Sequence, residues 1–389
     1  MLIDGGKAID HLTGRHPDLF GQVAWQPTAW RTIEAIAADE LAITRIGEAL
    51  VNVRRWVWDL PGGAPAVFDP ASEEPMCLDL DSSLVTAHSE KDRAAGNYKG
   101  GFGYAPNMAF LDRGDGTGEP LAGILRPGSA TANDAGDNND LLEAALQTLP
   151  ALPEGKQLVA RGDCALATKE FLGHARQAGL RFSVSFPLTE SVKAAIRSLD
   201  ENAWRPAVRQ NGERRDGAAV AEVTDVAALP DGWPTGARLL IRREPRHPGA
   251  QLSFDDIDGC RVTAVLTDQH GDPVTLDRRH RARARCEDRI RVLKTLGLRN
   301  LPCGDFERNQ VWLQLTLLAL NLCTWTQRLT LDGDLARAEP ARLRYQLFHV
   351  AARITRRARQ VRVAFQADWP GTPALVHAFA RLRALPLPA

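Results

Sequence analysis

The sequence contains few cysteines and no long apolar segment. Its six cysteines are scattered through 389 residues without a CxxC pair or a Cys/His cluster at zinc spacing. This pattern argues against a structural zinc site or a disulfide framework, and it is typical of a protein of the reducing cytoplasm. The most apolar run, residues 311–325, is interrupted by Gln314 and Asn321 and is too short to cross a membrane. It therefore predicts a buried helix and no membrane partner.

Net charge is also absent, because 48 basic residues balance 48 acidic ones. The basic residues are nevertheless concentrated, since residues 277–300 hold nine of them against three acids, and a second basic tract covers residues 353–363. A local excess of this kind is expected on a surface that follows a phosphate backbone. An exposed helix with ion pairs gives a similar pattern, and we predict such a solvated helix for residues 353–363.

Periodicity predicts a mixed α/β chain. Residues 27–58 have helical spacing, and the stretch MCLDLDSSLV alternates apolar residues with Asp79 and Asp81, as a strand does. Two strands joined by RGDGTGE follow, then a helix, the strand KQLVARGD, a helix and the strand LRFSVSF. This order, three strands and then alternating helices and strands, is that of the ribonuclease H-like fold.

The remaining segments define the predicted organisation. Residues 187–277 hold polar, Pro/Gly-punctuated strands, and helical spacing returns at HRARARCEDRIRVLK and in RLRYQLFHVAARITRRARQ. We expect a ribonuclease H-like core with a mixed sheet and flanking helices, interrupted by a β-rich insertion and bounded by helical terminal regions. The expected regions are a helical N-terminal region with a linker (1–70), the first part of the core (71–186), the β-rich insertion (187–277), the last part of the core (278–330) and a helical C-terminal region (331–389).

Three acids are candidates for metal chemistry. Asp81 and Asp163 lie at the ends of predicted strands, and Glu287 lies on the returning helix in one polar stripe with His280, Arg283, Arg291 and Lys294. Magnesium prefers oxygen ligands, and paired metal ions stabilise the attacking and leaving oxygens of a phosphodiester. The apolar stripe of Cys286, Ile290 and Leu293 is predicted to pack the same helix against the sheet.

The spacing around Glu287 carries a family resemblance. His280-x2-Arg283-x3-Glu287-x6-Lys294 resembles the Tyr-x2-Arg-x3-Glu-x6-Lys signature of one branch of bacterial insertion-sequence DDE transposases, with histidine in place of tyrosine. The stretches LDLDSSLVTAHSEK, GFGYAPNMAFLDRGDGTGEPLAGILRPGSA and LVARGDCA resemble its other blocks. The similarity covers nearly the whole chain and is nearest to the insertion-sequence family numbered thirteen-eighty.

The resemblance implies a DNA transposase. Asp81, Asp163 and Glu287 would be the catalytic residues and would hold two Mg²⁺ ions, with Mn²⁺ able to substitute, and Asp79 is the second candidate for the first acid. The enzyme would nick DNA at the element ends and then direct the freed 3′ hydroxyl onto target DNA. Its partners would be the terminal inverted repeats, target DNA and a second copy of the chain in a synaptic complex, in the bacterial cytoplasm.

DNA contacts are expected from a further set of residues. On the polar stripe of the returning helix these are His280, Arg283, Arg291 and Lys294, and in the β-rich insertion they are Trp204 and Trp233, which would stack on a displaced base. For the arginines and Lys294 the alternative is a solvated helix face, and for the two tryptophans it is core packing.

Two other functions fit the same residues. One is a ribonuclease H-like nuclease without strand transfer, which the same three acids permit. The other is a truncated, catalytically silent DNA-binding remnant, because members of the resembled family carry a longer region before LFGQVAWQPTAWRTIEAI. A requirement for paired inverted repeats would distinguish a transposase from the nuclease, and a cleavage assay would distinguish it from the silent remnant.

Overall fold

The computed structural model describes residues 25–227, 229, 231–246, 249 and 256–386. The first 24 residues of the predicted N-terminal region therefore lie outside the described residues. Ten α-helices occur in the described part of the chain: α1 Gln26–Ala37, α2 Ala42–Asp59, α3 Ala135–Gln147, α4 Lys169–Gln177, α5 Glu190–Arg197, α6 Pro273–Arg281, α7 Ala284–Leu293, α8 Phe306–Thr330, α9 Pro340–Leu343 and α10 Thr372–Ala384.

Fifteen strands are found in the same residues. They are β1 Met76–Ser82, β2 Val85–Thr86, β3 Ala95–Gly96, β4 Phe102–Tyr104, β5 Asn107–Asp112, β6 Gly118–Ile124, β7 Leu158–Gly162, β8 Arg181–Phe186, β9 Arg205–Val208, β10 Arg214–Glu222, β11 Arg238–Pro245, β12 Asp256–Ile257, β13 Cys260–Thr267, β14 Ala352–Arg357 and β15 Gln360–Phe365.

The main sheet has the strand arrangement expected of a ribonuclease H-like core. Its order is β6-β5-β1-β7-β8-β13-β11-β10-β9, with β12 paired to β13. The strands β1, β7 and β8 run parallel, and β5 and β6 form the antiparallel meander beside β1. Because parallel neighbours end at the same edge of a sheet, the residues that close β1 and β7 lie at one edge. The predicted mixed α/β fold is confirmed.

Each face of the sheet is covered by its own apolar cluster. On one face Leu78 and Leu80 of β1 pack with α3 and α4, and on the other Met108 and Phe110 of β5 pack with α7 and α8. In the register of the sheet, Asp79 lies opposite Phe110 and Asp81 opposite Met108. Cross-strand partners share a face, so the acidic face of β1 is the one that α7 covers.

The segment 187–277 is rich in strands but does not form a separate sheet. Its last long strand, β13, pairs antiparallel with β8, and β11, β10 and β9 continue outward from it. The helix α5 and the segment around Trp233 pack on the same apolar cluster as α3 and α4. The segment therefore widens the core sheet.

The prediction of a helix across the second basic tract, residues 353–363, is wrong. Residues 352–365 form the antiparallel hairpin β14–β15, a two-stranded sheet of its own. The turn is made by Ala358 and Arg359, with φ of 51° and 61°. Strand propensity explains the error, because Ile354, Val361 and Val363 are β-branched and alternate with polar residues. The arginines of the same tract also recur at helical spacing, so the period of two was overlooked.

The helix predicted through residues 280–294 is interrupted. The helix α6 ends at Arg281, α7 begins at Ala284, and Ala282 and Arg283 form the turn between them. The single polar stripe expected from His280 to Lys294 is therefore not present. The predicted apolar stripe of α7 is confirmed, since Cys286, Ile290 and Leu293 are buried.

The long apolar helix α8 lies inside the molecule, as residues 311–325 predict. It packs against β6 and buries residues along most of its length. Among the described residues, no helix combines the length and apolarity needed to cross a membrane.

Candidate active site

Asp81 and Asp163 lie together at the edge where β1 and β7 end. Asp81 is the sixth of seven residues in β1, and Asp163 directly follows β7. Both line one cleft, together with Lys294, and the charge of Asp163 raises the pKa of Asp81. The two carboxylates are thus close enough to interact, as their positions on neighbouring parallel strands predict.

The environment of Asp81 shifts its titration toward neutral pH. Burial raises the pKa of Asp81 to about 6, and the neighbouring Asp163 and Glu287 add to the rise, whereas Arg283 and the Ser82 amide oppose it. Arg283 Nη1 lies 3.4 Å from Asp81 Oδ2, and the Ser82 N–H donates to Asp81 Oδ1 over 2.8 Å. Asp81 is therefore partly protonated just below neutrality and ionised above it.

Asp79, the alternative first acid, is occupied by an ion pair. Arg161 donates to both carboxylate oxygens of Asp79, over 2.5 and 2.8 Å, and a third bond of 2.8 Å joins Arg161 to Asp112. All three side chains are at least 90% buried. Asp79 therefore lies behind the cleft, where it satisfies a buried guanidinium.

Asp163 is held by a tight turn. Its carboxylate accepts from the Ala165 N–H over 2.9 Å and caps the short 3-10 segment Cys164–Leu166. The preceding Gly162 leaves the room for this turn, since a Cβ there would lie 2.2 Å from Leu166 Cδ1 and 3.3 Å from the Leu80 carbonyl oxygen. The Gly-Asp pair thus allows β7 to pass close to β1 while Asp163 turns into the cleft.

Glu287 lies near these acids but not between them. It is in the first turn of α7, its side chain is 65% exposed, and Arg283 Nη2 lies 3.5 Å from its Oε1. Arg283 thus bridges Asp81 and Glu287. Glu287 itself lines a neighbouring depression with His280 and Arg242.

His280 faces the interior. Its Nδ1 lies 3.0 Å from Ser183 Oγ and its Nε2 lies 3.2 Å from Ser185 Oγ, both on β8. Burial lowers the pKa of His280 to about 3, and the charges of Arg161, Arg283 and Arg242 act in the same direction. The imidazole is neutral and both nitrogens are engaged by hydroxyls of β8, so the expected direct DNA contact of His280 is not supported.

The two other basic residues of the predicted polar stripe, Lys294 and Arg291, lie in different surroundings. Lys294 reaches the cleft of Asp81 and Asp163, and burial together with Arg299 and Lys99 lowers its pKa. Arg291 points away, where it forms ion pairs with Glu339 at 2.7 Å and Asp288 at 3.0 Å. Of these two, only Lys294 is in position to meet a phosphate held at the two acids.

The two candidate tryptophans are half-buried in the widened sheet. Trp204 lies under the guanidinium of Arg243, 4.2 Å from the ring centroid, and Trp233 packs edge-on against Phe186 at 5.2 Å. Both pack against the main apolar cluster. These contacts match the core-packing interpretation of the two residues.

The sequence did not single out the polar network that supports Asp81. Arg126, which is buried, donates to Ser82 Oγ over 2.9 Å, and Ser82 Oγ donates to Asn107 over 3.2 Å. Asn107 in turn donates to Asn138 over 2.7 Å. All four residues line the cleft. The Ser82-Ser83 pair directly after Asp81 was the available signal, but its partners Arg126, Asn107 and Asn138 are distant in sequence.

The donor set at the cleft fits a divalent cation. Mg²⁺ usually takes one or two protein carboxylates and fills its other positions with water and substrate phosphate oxygens. Asp81 and Asp163 supply that pair. Within the described ranges, no three His, Cys, Asp or Glu side chains are grouped as ligands, so Glu287 does not join them in this arrangement.

The chain is similar to a known protein and to a protein family, over very different lengths. A protein named 2-oxoglutarate-dependent dioxygenase frbJ, from Dothideomycetidae sp. (strain 11243), is 30% identical over 121 residues, which is 31% of this chain and 32% of that protein. The chain thus matches only about a third of that relative's length. The family model described as "Transposase DDE domain group 1" matches residues 7–387. The chain belongs to this family of DDE transposases.

Proposed function

We propose that the protein cleaves DNA at insertion-sequence ends in a metal-dependent reaction and transfers the freed 3′ ends to target DNA. The observation that carries this proposal is the placement of Asp81 and Asp163 at the adjoining ends of two parallel strands in one cleft. Family membership supports the reaction class. The partners proposed are the element's inverted repeats, target DNA and a second copy of the chain that pairs the two ends.

Asp81 and Asp163 would hold the metal ions, Mg²⁺ or Mn²⁺, and Glu287 would be the third acid. When bound, the ions supply Lewis acidity that activates a water or a 3′ hydroxyl and offsets charge on the phosphodiester. The exposed Glu287 side chain borders the same arginine as Asp81, so a change of rotamer is the movement that would bring it toward the pair.

The other residues of the cleft would position the DNA. Lys294, at the rim, would contact a backbone phosphate, and Arg283, which lies within 3.5 Å of both Asp81 and Glu287, would orient these two acids. The network of Arg126, Ser82 and Asn107 would fix the end of β1. Since water and the 3′ hydroxyl are the nucleophiles, no covalent protein intermediate is formed.

The test uses duplexes carrying the inverted repeats that flank the gene, with Mg²⁺ and purified protein. Wild type should cut at the repeat boundary and join the ends to a target plasmid, and Asp81→Asn, Asp163→Asn and Glu287→Gln should each lose at least about 10²-fold in rate. Glu339→Gln is the matched control, because Glu339 is an exposed acid bound to Arg291 outside the cleft. It should cut like wild type.

Three outcomes would change the proposal. Cutting without joining, even with paired ends, would leave a nuclease. Equal cutting by wild type and Asp81→Asn would overturn the assignment of the cleft. Binding without cutting by any form would indicate a silent DNA-binding protein.

The rate of cutting should depend on pH. Asp81 must be ionised to hold a cation, and its pKa is raised to about 6, so the rate should rise about tenfold per pH unit below pH 6 and level off above it. Rates measured under single-turnover conditions from pH 5 to 8 would show this. A rate already at its plateau at pH 5 would contradict it.

A further inference from the structure

The hairpin β14–β15, residues 352–365, is an exposed arm. Its strands pair with each other and not with the main sheet. Every residue of the two strands is exposed except Ile354 and Phe365, which are half-buried. An isolated two-stranded hairpin is at best marginally stable in water, so such an arm is expected to have a partner.

The register divides the arm into two different faces. Cross-strand pairs lie on the same face, so the pairs Arg353–Ala364, Thr355–Arg362 and Arg357–Gln360 form one of them. This face is polar and carries three guanidiniums. The opposite face carries Ile354, Val361, Val363, Phe365 and Arg356.

The polar face is a short ladder of positive charge. Residues 350–367 contain five arginines and no acid. Among the described residues, Arg353, Arg357 and Arg362 form no ion pair, and Arg362 makes one long bond of 3.5 Å to Gln360. Strand geometry spaces Arg353, Arg362 and Arg357 about 7 Å apart along the arm. That is about two axial phosphate steps of one DNA strand.

We propose that this arm is a DNA-binding β-ribbon whose polar face, Arg353, Arg357 and Arg362, contacts the phosphates of a duplex. This inference rests on the proposed function, because that function is the reason for choosing DNA as the polyanion. The major groove admits a two-stranded ribbon, and arginine is the side chain best suited to phosphate. Arg359, in the turn at the tip, adds a fourth positive charge where the arm would enter the groove.

The test measures binding of the full chain to a fluorescent 30-base-pair duplex of arbitrary sequence, by anisotropy at several KCl concentrations. The variant R353Q/R357Q/R362Q keeps the strands and removes three charges. The control R31Q/R55Q/R383Q removes three other exposed arginines. A further variant, Ala358→Asn, suits the positive φ of the turn and keeps every charge.

The arm variant should bind at least about tenfold more weakly at 0.15 M KCl, and its slope of log K against log [KCl] should be shallower by about 2.7, or 0.9 for each lost contact. The control should change affinity less than about threefold, and Ala358→Asn should bind like wild type. Thermal unfolding must be unchanged in the variants compared.

Two results would overturn the proposal: equal losses in the arm variant and the control, or unchanged DNA binding together with a shift in oligomeric state measured by light scattering. The second would make the arm an interface between copies. Asp81→Asn separates this inference from the proposed function, since it should bind DNA normally and fail to cut it. If it cuts, the assignment of the cleft fails while the result for the arm still stands.

Discussion

Asp79 and Asp81 lie two residues apart on one face of β1, but their surroundings give them different roles. Asp79 is buried and paired with Arg161, whereas Asp81 is at the strand end, where its carboxylate meets Arg283 and the cleft. Burial raises the pKa of both, and Arg161 opposes the rise at Asp79. Alternation along the strand predicts the shared face, but only the three-dimensional partners show which acid reaches the cleft.

The raised pKa of Asp81 has a consequence for stability. A carboxyl whose pKa is raised by folding contributes stability that is complete below its unfolded value near 3.8 and is lost as pH rises through about 6. Asp81→Asn should therefore raise the free energy of unfolding by up to about 3 kcal/mol at pH 8 and by little at pH 3.5.

Urea unfolding at the two pH values measures the difference. The exposed Asp225→Asn serves as the control and should change stability by less than about 0.5 kcal/mol at either pH. An Asp81→Asn variant that is less stable than wild type at pH 8 would show that the ionised carboxylate is stabilised by its neighbours.

Gly162 is a second position where one residue controls the cleft. In Gly162→Ala the new Cβ would overlap Leu166, so the turn that carries Asp163 must shift. We expect a destabilisation of about 1–3 kcal/mol and a loss of cutting of at least about tenfold. Urea unfolding and single-turnover cutting measure the two effects.

The control for this prediction is Gly173→Ala. Gly173 lies inside α4, and a Cβ there would have no neighbour within 4 Å. Alanine should stabilise this helix slightly and leave cutting unchanged. Wild-type activity in Gly162→Ala would mean that Asp163 tolerates a displaced turn.

At the scale of elements, the sequence predicted the core better than its periphery. The order of β1, β5, β6, α3, β7, α4 and β8 followed from the apolar periodicity of each element and from the turn residues between them. The break between α6 and α7 was missed, since helical spacing continues through Ala282 and Arg283. The side chains that hold His280 just before the break, Ser183 and Ser185, are almost a hundred residues away.

The candidate site, like the fold, was predictable from the sequence only in part. Strand ends identified Asp81 and Asp163, because parallel strands place their ends together whatever the side chains between them. The exposed position of Glu287 and the inward position of His280 depend on how α6 and α7 pack, which no local pattern specifies. The hairpin β14–β15 was missed because its arginines satisfy helical and strand periods alike.

The helix α2 is fixed to the sheet by a buried charge network. Glu119 on β6 accepts from Arg54 Nε over 2.9 Å and from Trp58 Nε1 over 3.1 Å, and it also pairs with Arg113. Burial by itself would raise the pKa of Glu119, but Arg113 and Arg54 hold this pKa below its usual value. The network joins α2 to β6, the strand that lies two places from β1 in the sheet.

Removing Glu119 should therefore be costly. Glu119→Ala leaves two buried arginines without their shared carboxylate, and we expect a loss of about 3–5 kcal/mol in the free energy of unfolding. Asp39→Asn, which breaks the exposed pair between Asp39 and Arg45, is the control and should cost less than about 1 kcal/mol. Equal effects in urea unfolding would show that the buried network adds no more than a surface pair.

At the scale of the whole molecule, one continuous sheet holds both Asp81 and Asp163 and the strands of segment 187–277, whereas the exposed basic arm is a separate two-stranded sheet. The strands β1 and β7 carry the two acids, and the same sheet continues through β8 into segment 187–277. The buried helix α8 backs β6, and α10 and the hairpin β14–β15 follow it in the chain. The two candidate acids and the exposed basic arm therefore lie on different sheets of the same chain.

The central claim is that Asp81 and Asp163 hold the metal ions. The most direct test measures Mn²⁺ binding by electron paramagnetic resonance, in a complex of the protein with a duplex that cannot be cut. Wild type and Glu339→Gln should bind the ion, and Asp81→Asn and Asp163→Asn should each weaken binding at least about tenfold. Unchanged binding in the double variant Asp81→Asn/Asp163→Asn would show that the two carboxylates at the ends of β1 and β7 are not the metal site.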